Sequence, residues 1–276
     1  MGLRIGTNLP SITAQRSLAG SSREIQKTFA QLSSGSRITK SADDAAGLSI
    51  SENLKSTVRG YQQAGRNAND GISLVQTAEG GLGEISNILT RLRELGVQAS
   101  SDTIGDQERS FIDKEVQQLK AETDRIAKTT RFGSIQLLDG SGGSYEFQVD
   151  VNNTENDRIT FNASEQNATL SSLGVDGLDF SSKDGAREAL EVVDTAQRQV
   201  NGFRANLGAL QSRLVSTTDQ IGVSVENLSA ANSRIRDTDV ANSTAELSRN
   251  NILQAASVSI LAQANQTPNM AMKLMG

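Results

Sequence analysis

Asp150, Asn152, Thr154 and Asn156 fall at alternate positions, the spacing of the first oxygen donors in a calcium-binding loop. Glu155 stands where the sharp turn of such a loop requires Gly, and Phe161 where a bidentate Glu would close the coordination shell. A hairpin turn accounts for the same polar run. Gly80, Gly81 and Gly83 come nearest to a phosphate-cradling loop, yet they do not complete that pattern and sit inside a run of helical period, where close helix packing explains them. Asp43 and Asp44 are adjacent, so on a helix their side chains point about 100° apart and do not form a carboxylate pair. Carboxylates at such a place suit the positive end of a helix. The chain has no histidine and no cysteine, which removes the commonest general base, the commonest metal ligand and all thiol chemistry. Asn-X-Ser/Thr triplets at Asn152, Asn162 and Asn167 follow from a composition rich in Asn and Ser. No nucleophile stands with a base, so the residues argue against an enzyme and imply no metal and no cofactor.

Composition narrows the classes further. Of 276 residues only 36% are hydrophobic and 3% aromatic, which is poor material for a thick globular core. A net charge of -5, with Lys and Arg scattered among acids, offers no basic stripe for nucleic acid or for an anionic membrane surface. No stretch approaches the roughly 18 apolar residues of a membrane span, and Met1-Gly2-Leu3-Arg4-Ile5-Gly6 has no apolar signal region. The same start misses a myristoylation signal because Gly6 occupies the Ser/Thr position. The lack of cysteine suits a reducing cytosol or a chain exported unfolded.

The elements that position these residues are long helices. Between Pro10 and Pro268 there is no proline, and apolar residues recur three and four apart over long runs. Val193, Ala196, Val200, Phe203, Leu207, Leu210, Leu214, Thr217, Ile221, Ser224 and Leu228 form one unbroken stripe. Leu54, Val58, Tyr61, Gly65, Ala68, Ile72 and Val75 form another, continued after a drift of phase by Leu82, Ile85, Leu89 and Leu92. Ile112, Val116, Leu119, Thr123 and Ile126 form a third. These patterns predict helices over about 11–34, 41–99, 106–128, 184–232 and 239–263, the first ended by Gly35. Six glycines from Gly60 to Gly83 fall in the second helix, each costing about 1 kcal/mol against Ala, so that helix needs partners to stay ordered.

Between about Arg131 and Ser182 the period changes to two. Ser144–Val151 and Arg158–Phe161 alternate polar and apolar residues around the turn-rich 152–157, which predicts a β-hairpin. The expected fold is mainly α: a long antiparallel helical bundle or coiled coil with a small central β-hairpin region, its N- and C-terminal helices paired. Leu18, Ile25, Phe29 and Leu32 on one terminal helix, and Ala245, Ile252, Ala255 and Ala262 on the other, are the expected self-assembly residues. Their stripes are narrow, which makes the pair marginal alone and stable among many copies.

Specific strings then carry a resemblance. Gln31-Leu32-Ser33-Ser34-Gly35-Ser36-Arg37-Ile38, Asp43-Asp44-Ala45-Ala46-Gly47-Leu48 and Arg66-Asn67-Ala68-Asn69-Asp70-Gly71-Ile72-Ser73 closely resemble the N-terminal region of bacterial flagellins. Asn206-Leu207-Gly208-Ala209-Leu210-Gln211-Ser212-Arg213, Ser233-Arg234-Ile235-Arg236-Asp237-Thr238-Asp239 and Leu261-Ala262-Gln263-Ala264-Asn265-Gln266 resemble the C-terminal region. The final Met270-Ala271-Met272-Lys273-Leu274-Met275 is richer in Met than the family pattern.

The resemblance implies a structural subunit that self-assembles with copies of itself into the flagellar filament, an extracellular motility polymer. It implies export as an unfolded chain through the flagellar type III apparatus, without a cleaved signal peptide. Residues 1–42 and 235–276 would form the inner tube, 43–130 and 183–234 the helical rod, and 131–182 a β-hairpin insert of the rod. With only 131–182 in the middle, the large outer domains of longer members are expected to be absent. An export chaperone, the filament cap and hook-associated proteins are implied partners. So is the flagellin-sensing Toll-like receptor, through a stretch containing Leu89, Arg91, Glu94 and Leu95 together with Glu115. A hook-filament junction protein shares the architecture and is the nearest alternative. A soluble signalling coiled coil is the alternative from another class.

Overall fold

A computed structural model describes residues 7–275, with side chains from 7 to 266. The expectations placed on Met1–Gly6 and on the side chains of Met270–Gly276 lie outside the described residues. In chain order the elements are α1 (Leu9–Ser34), α2 (Ala45–Ala99), α3 (Asp106–Thr129), β1 (Arg131–Phe132), β2 (Ile135–Gln136), β3 (Ser144–Gln148), β4 (Arg158–Asn162), α4 (Leu170–Leu173), α5 (Lys183–Arg236) and α6 (Val240–Met275). The fold is mainly α, as the periodicity predicts. Three details differ from the sequence reading. The short hairpin β1–β2 and the single-turn α4 carry too few residues to show a period. Helix α6 continues past Gln263 to Met275. Helix α2 begins at Ala45 rather than Ser41, because the two aspartates divide the capping between them. Asp44 accepts from the Gly47 N–H at 2.8 Å, while Asp43 turns back and accepts from the N–H groups of Thr39 and Lys40 at 3.1 and 2.9 Å.

Packing divides the chain into two units, residues 57–226 and residues 1–56 with 227–276. In the 57–226 unit, α2 and α5 run antiparallel: Gly65 faces Ile221, Gly71 faces Leu214, and the Gln197 amide donates to Ser86 Oγ at 2.8 Å. Helix α3 returns along α2, with the Arg109 guanidinium capping the α2 terminus through the Ala99 and Ser101 carbonyls at 2.9 Å each. The α5 stripe is buried as read, through Val193, Ala196, Val200, Leu207, Leu214 and Ile221.

On α2 the phase is constant from Ala64 to Ala99. Ala64, Ala68, Gly71, Val75, Ala78, Leu82, Ile85, Leu89, Leu92, Gly96 and Ala99 are all buried and alternate four and three apart without a break. Ile72 is only half-buried, and with Gly71 in its place and Ala64 in place of Gly65 the seam keeps one phase from Ala64 onward. Small residues hold the seam because the insert packs there.

The strands β3 and β4 pair antiparallel, Tyr145 opposite Phe161 and Phe147 opposite Ile159. The connection between them closes through Asp157, whose carboxylate accepts from the N–H and hydroxyl of Thr154 at 2.8 Å. Gln148 donates to the carbonyls of Asp150 and Asn152. The polar run 150–156 is thus a braced turn. The insert meets α2 at its glycines: Phe147 lies over Gly71, and Leu138 with Thr130 over Gly81. A Cβ at Gly81 would stand 2.7 Å from Thr130 Oγ1 and 2.8 Å from Leu138 Cδ1, whereas one at Gly83 meets nothing within 4 Å. Thr130 Oγ1 is held by the Ile126 carbonyl at 2.7 Å and Leu138 is fully buried, so neither yields freely. Close helix packing is therefore not what fixes Gly80, Gly81 and Gly83; only Gly81 is closely covered, and by the insert.

These neighbours make an internally controlled test. Gly83→Ala is expected to stabilise the chain by up to about 1 kcal/mol through helix propensity, and Gly81→Ala to destabilise it by about 1–3 kcal/mol through overpacking. Thermal unfolding of the two variants reads both, and equal shifts would contradict the packing described.

Candidate assembly interface

In the other unit α1 and α6 pair with each other. The α1 face comprises Ser11, Ala14, Leu18, Ser21, Ile25, Thr28 and Leu32, and the α6 face Ser243, Leu247, Asn250, Gln254, Ser257, Leu261 and Ala264, each set alternating three and four apart. Only Ser11, Ala14, Thr28, Ser243 and Ala264 are fully buried there. Near the outer end the Asn8 amide donates to the Ala264 carbonyl and the Ser11 hydroxyl to Asn265 Oδ1, both at 2.9 Å. The seam is therefore narrow, and half of its residues are polar. Half-buried Leu, Ile and Ser side chains give less than the roughly 1.5–3 kcal/mol of a fully buried aliphatic residue.

At the inner end the chain breaks beside each helix are clasped together. Gly35, left-handed at φ 68°, ends α1. The Arg37 N–H donates to the Arg236 carbonyl at 2.7 Å and the Thr238 N–H to the Gly35 carbonyl at 3.0 Å. The Arg37 guanidinium reaches the Ile235 carbonyl at 2.9 Å, and Arg236 pairs with Glu52. Asp43 braces the following turn. Hydrogen bonds from Lys40 and Thr39, with Lys27 adding its charge at 4.0 Å, hold its carboxyl below the ordinary range.

A second set of large apolar side chains of this unit lies off the seam. Phe29 is 64% exposed and Ile252 70%; Leu9, Ile12, Val240, Leu253, Val258 and Ile260 are also exposed. An open groove of about 520 Å³ lies between α1 and α6, walled by Leu9, Pro10, Ala14 and Ile260. Of the residues expected to serve assembly, Leu18, Ile25 and Leu32 lie half-buried on the intrachain seam. Phe29, Ala245, Ile252, Ala255 and Ala262 lie outside it, exposed. The expectation that these residues make one paired stripe is therefore corrected. On α6 the inner side mixes Leu247, Leu261 and Ala264 with Ser243, Asn250, Gln254 and Ser257, so a run of apolar residues alone does not mark it. Their 3-4 spacing was the available signal, and small polar residues hid it.

The second expected cluster also divides. Arg91 Nε and Nη2 lie 3.0 and 2.9 Å from Glu115 Oε1, and Nη1 lies 3.1 Å from Glu94. The bonds to Glu115, then to Glu94, push the guanidinium pKa further up. All three side chains are about half exposed, so the network orients its groups and adds little stability. Leu89 and Leu95 are core residues, 0% and 2% exposed, and their side chains present nothing to a partner. Their spacing places them on the inward face of α2 while Arg91 and Glu94 point outward.

A helical chain whose two ends meet through a half-polar seam and carry large apolar side chains outward has the surface of a polymer subunit. The pattern of the bacterial flagellin N-terminal helical region matches residues 5–142, and that of the C-terminal helical region residues 190–275. A flagellin of Halalkalibacterium halodurans is 41% identical over 98% of this chain and 99% of its own length. A flagellar filament core protein of Brachyspira hyodysenteriae is 38% identical over 98% of this chain and 99% of its own. Among solved structures, Bacillus cereus flagellin superposes with a TM-score of 0.51 at 32% identity, covering 56% of this chain and 88% of that one. The chain belongs to the bacterial flagellin family, a family of structural proteins.

Proposed function

We propose that this chain is the repeating subunit of a bacterial flagellar filament, extracellular in its working state and polymerised with copies of itself. The observation that carries this is the outward set on α1 and α6, Leu9, Ile12, Phe29, Ile252, Leu253, Val258 and Ile260, left uncovered by a seam too polar to hold the pair alone. Residues 1–42 and 235–276 form the inner tube in this reading, 43–130 and 183–234 the surrounding rod, and 131–182 its insert. A chain without cysteine, with a thin terminal seam, suits unfolded export through the type III apparatus, delivery by an export chaperone, and placement beneath a filament cap above hook-associated proteins. The full-length relatives above carry filament names, which favours the filament over the hook-filament junction.

Recognition of the monomer by the flagellin-sensing Toll-like receptor is proposed through Arg91, Glu94 and Glu115, whose planar fork and carboxylates stand exposed together.

Two measurements check these readings. Negative-stain electron microscopy of monomer mixed with short filament seeds is expected to show filaments from the intact chain and none from a copy lacking residues 1–40; an intact chain that stays soluble contradicts the filament reading. Arg91→Ala monomer is expected to activate the receptor at least about tenfold less potently, the effect of a lost charge-assisted contact. Unchanged activation would remove the receptor reading alone.

A further inference from the structure

The 57–226 unit leaves one cavity that its own packing does not fill, an open cleft of about 490 Å³ where the β3–β4 connection faces α2 and α5. That volume is in the range of small-molecule sites. Val149, Ile159 and Ile221, each nearly fully buried, give the cleft an apolar floor. Its α5 wall is a stripe of Ser212, Ser216, Thr217, Gln220 and Ser224, faced by Asn156 from the β3–β4 connection. From Ser212 to Ser224 the wall runs about 18 Å at 1.5 Å per residue, long enough for a disaccharide.

Unused hydrogen-bonding capacity is concentrated here. The Thr217 hydroxyl is taken up by the Arg213 carbonyl at 2.8 Å. The side chains of Ser212, Ser216, Gln220, Ser224 and Asn156 have no hydrogen-bond partner among the described residues. Hydroxyls and primary amides both donate and accept, so this wall suits a neutral ligand that does the same at several points.

The remaining lining residues narrow the class. Asp150 and Arg213 stand on the cleft without an ion-pair partner among the described residues, and their opposite signs leave no net charge to attract an ion. Asp150 Oδ1 accepts from the Val151 N–H at 2.6 Å, and the Tyr61 phenol is hydrogen-bonded with the same carboxylate. Burial first, then the Asp150 charge, raises the phenol pKa and keeps it protonated. A carboxylate that accepts and a planar guanidinium that donates together grip adjacent hydroxyl groups. An acetamido group adds one donor, one acceptor and a methyl for the apolar floor.

We infer that this cleft is a carbohydrate site for a neutral N-acetylhexosamine disaccharide. The apolar ring face and acetamido methyl rest on Val149, Ile159 and Ile221, and the hydroxyls bond the α5 stripe, Asp150 and Arg213. The site uses neither the terminal helices nor the Arg91 network, so it stands apart from the filament and receptor readings.

The chain has no tryptophan and two tyrosines, so in a full-length Tyr145→Phe monomer the emission of Tyr61 alone reports on the cleft. Titration with N,N′-diacetylchitobiose is expected to change that emission saturably, with a Kd of about 1 mM. Ser216 and Arg213 are exposed, so changing them leaves the core intact. Ser216→Phe, which fills the cleft, and Arg213→Ala are each expected to weaken binding at least about tenfold. Cellobiose, which lacks the acetamido groups, is expected to bind at least about fivefold more weakly, and zwitterionic diglycine not to bind. Amide NMR of the unsubstituted monomer gives a second readout, with sugar-induced shifts expected at 149–159 and 212–224. No saturable change up to about 50 mM sugar, binding that survives both substitutions, shifts elsewhere only, or tighter binding of diglycine overturns the site. Equal binding of cellobiose overturns the N-acetylhexosamine assignment.

Discussion

The narrow seam between α1 and α6 is the constraint on which the terminal unit depends. Ordering a residue costs about 1–2 kcal/mol of backbone entropy, and isolated helices are marginal in water. A helix of 26 residues recovers that cost only by burying an apolar face. Here the inward face sets Leu18, Ile25 and Leu32, only half-buried, among Ser11, Ala14, Ser21 and Thr28, against Leu247 and Leu261 among Ser243, Asn250, Gln254 and Ser257, while Phe29 and Ile252 look outward. The clasp of Gly35–Arg37 on Ile235–Thr238 fixes register between the two chain breaks but adds little apolar burial. The missing burial lies on the outer surface, where only other molecules can supply it.

The 57–226 unit solves the same problem internally. Leu82, Ile85, Leu89 and Leu92 on α2 meet Val116 on α3 and Val193, Val200 and Leu207 on α5, all nearly inaccessible to solvent. The glycines that weaken α2 as a helix let Phe147 and Leu138 approach its backbone, so a local cost becomes close tertiary packing. One chain thereby combines a self-sufficient core with ends that require neighbours. That division is the physical content of a subunit that is stable when free and committed when assembled.

Most of the architecture was legible in the sequence because long helices repeat one signal many times. The α5 stripe, the break at 100–105 and the β3–β4 hairpin all follow from period and turn residues alone. Legibility failed where the informative residues are not apolar. Gly71 and Ala78 complete the α2 seam, and reading past them misplaced the change of phase. The α6 seam interleaves Leu247, Leu261 and Ala264 with Ser243, Asn250, Gln254 and Ser257, so the apolar residues Ile252 and Ala255 pointed to the outer face. Leu89 and Leu95 entered the second cluster with a string of neighbours, and helical geometry separates them from Arg91 and Glu94.

Amide hydrogen exchange, compared between free monomer and assembled filament, tests the central claim most directly. In the monomer, amides of 9–34 and 240–266 are expected to exchange orders of magnitude faster than those of 75–92, and to slow towards the core rate on assembly. Terminal amides already protected like the core in the free chain would contradict it, because the seam would then be sufficient by itself.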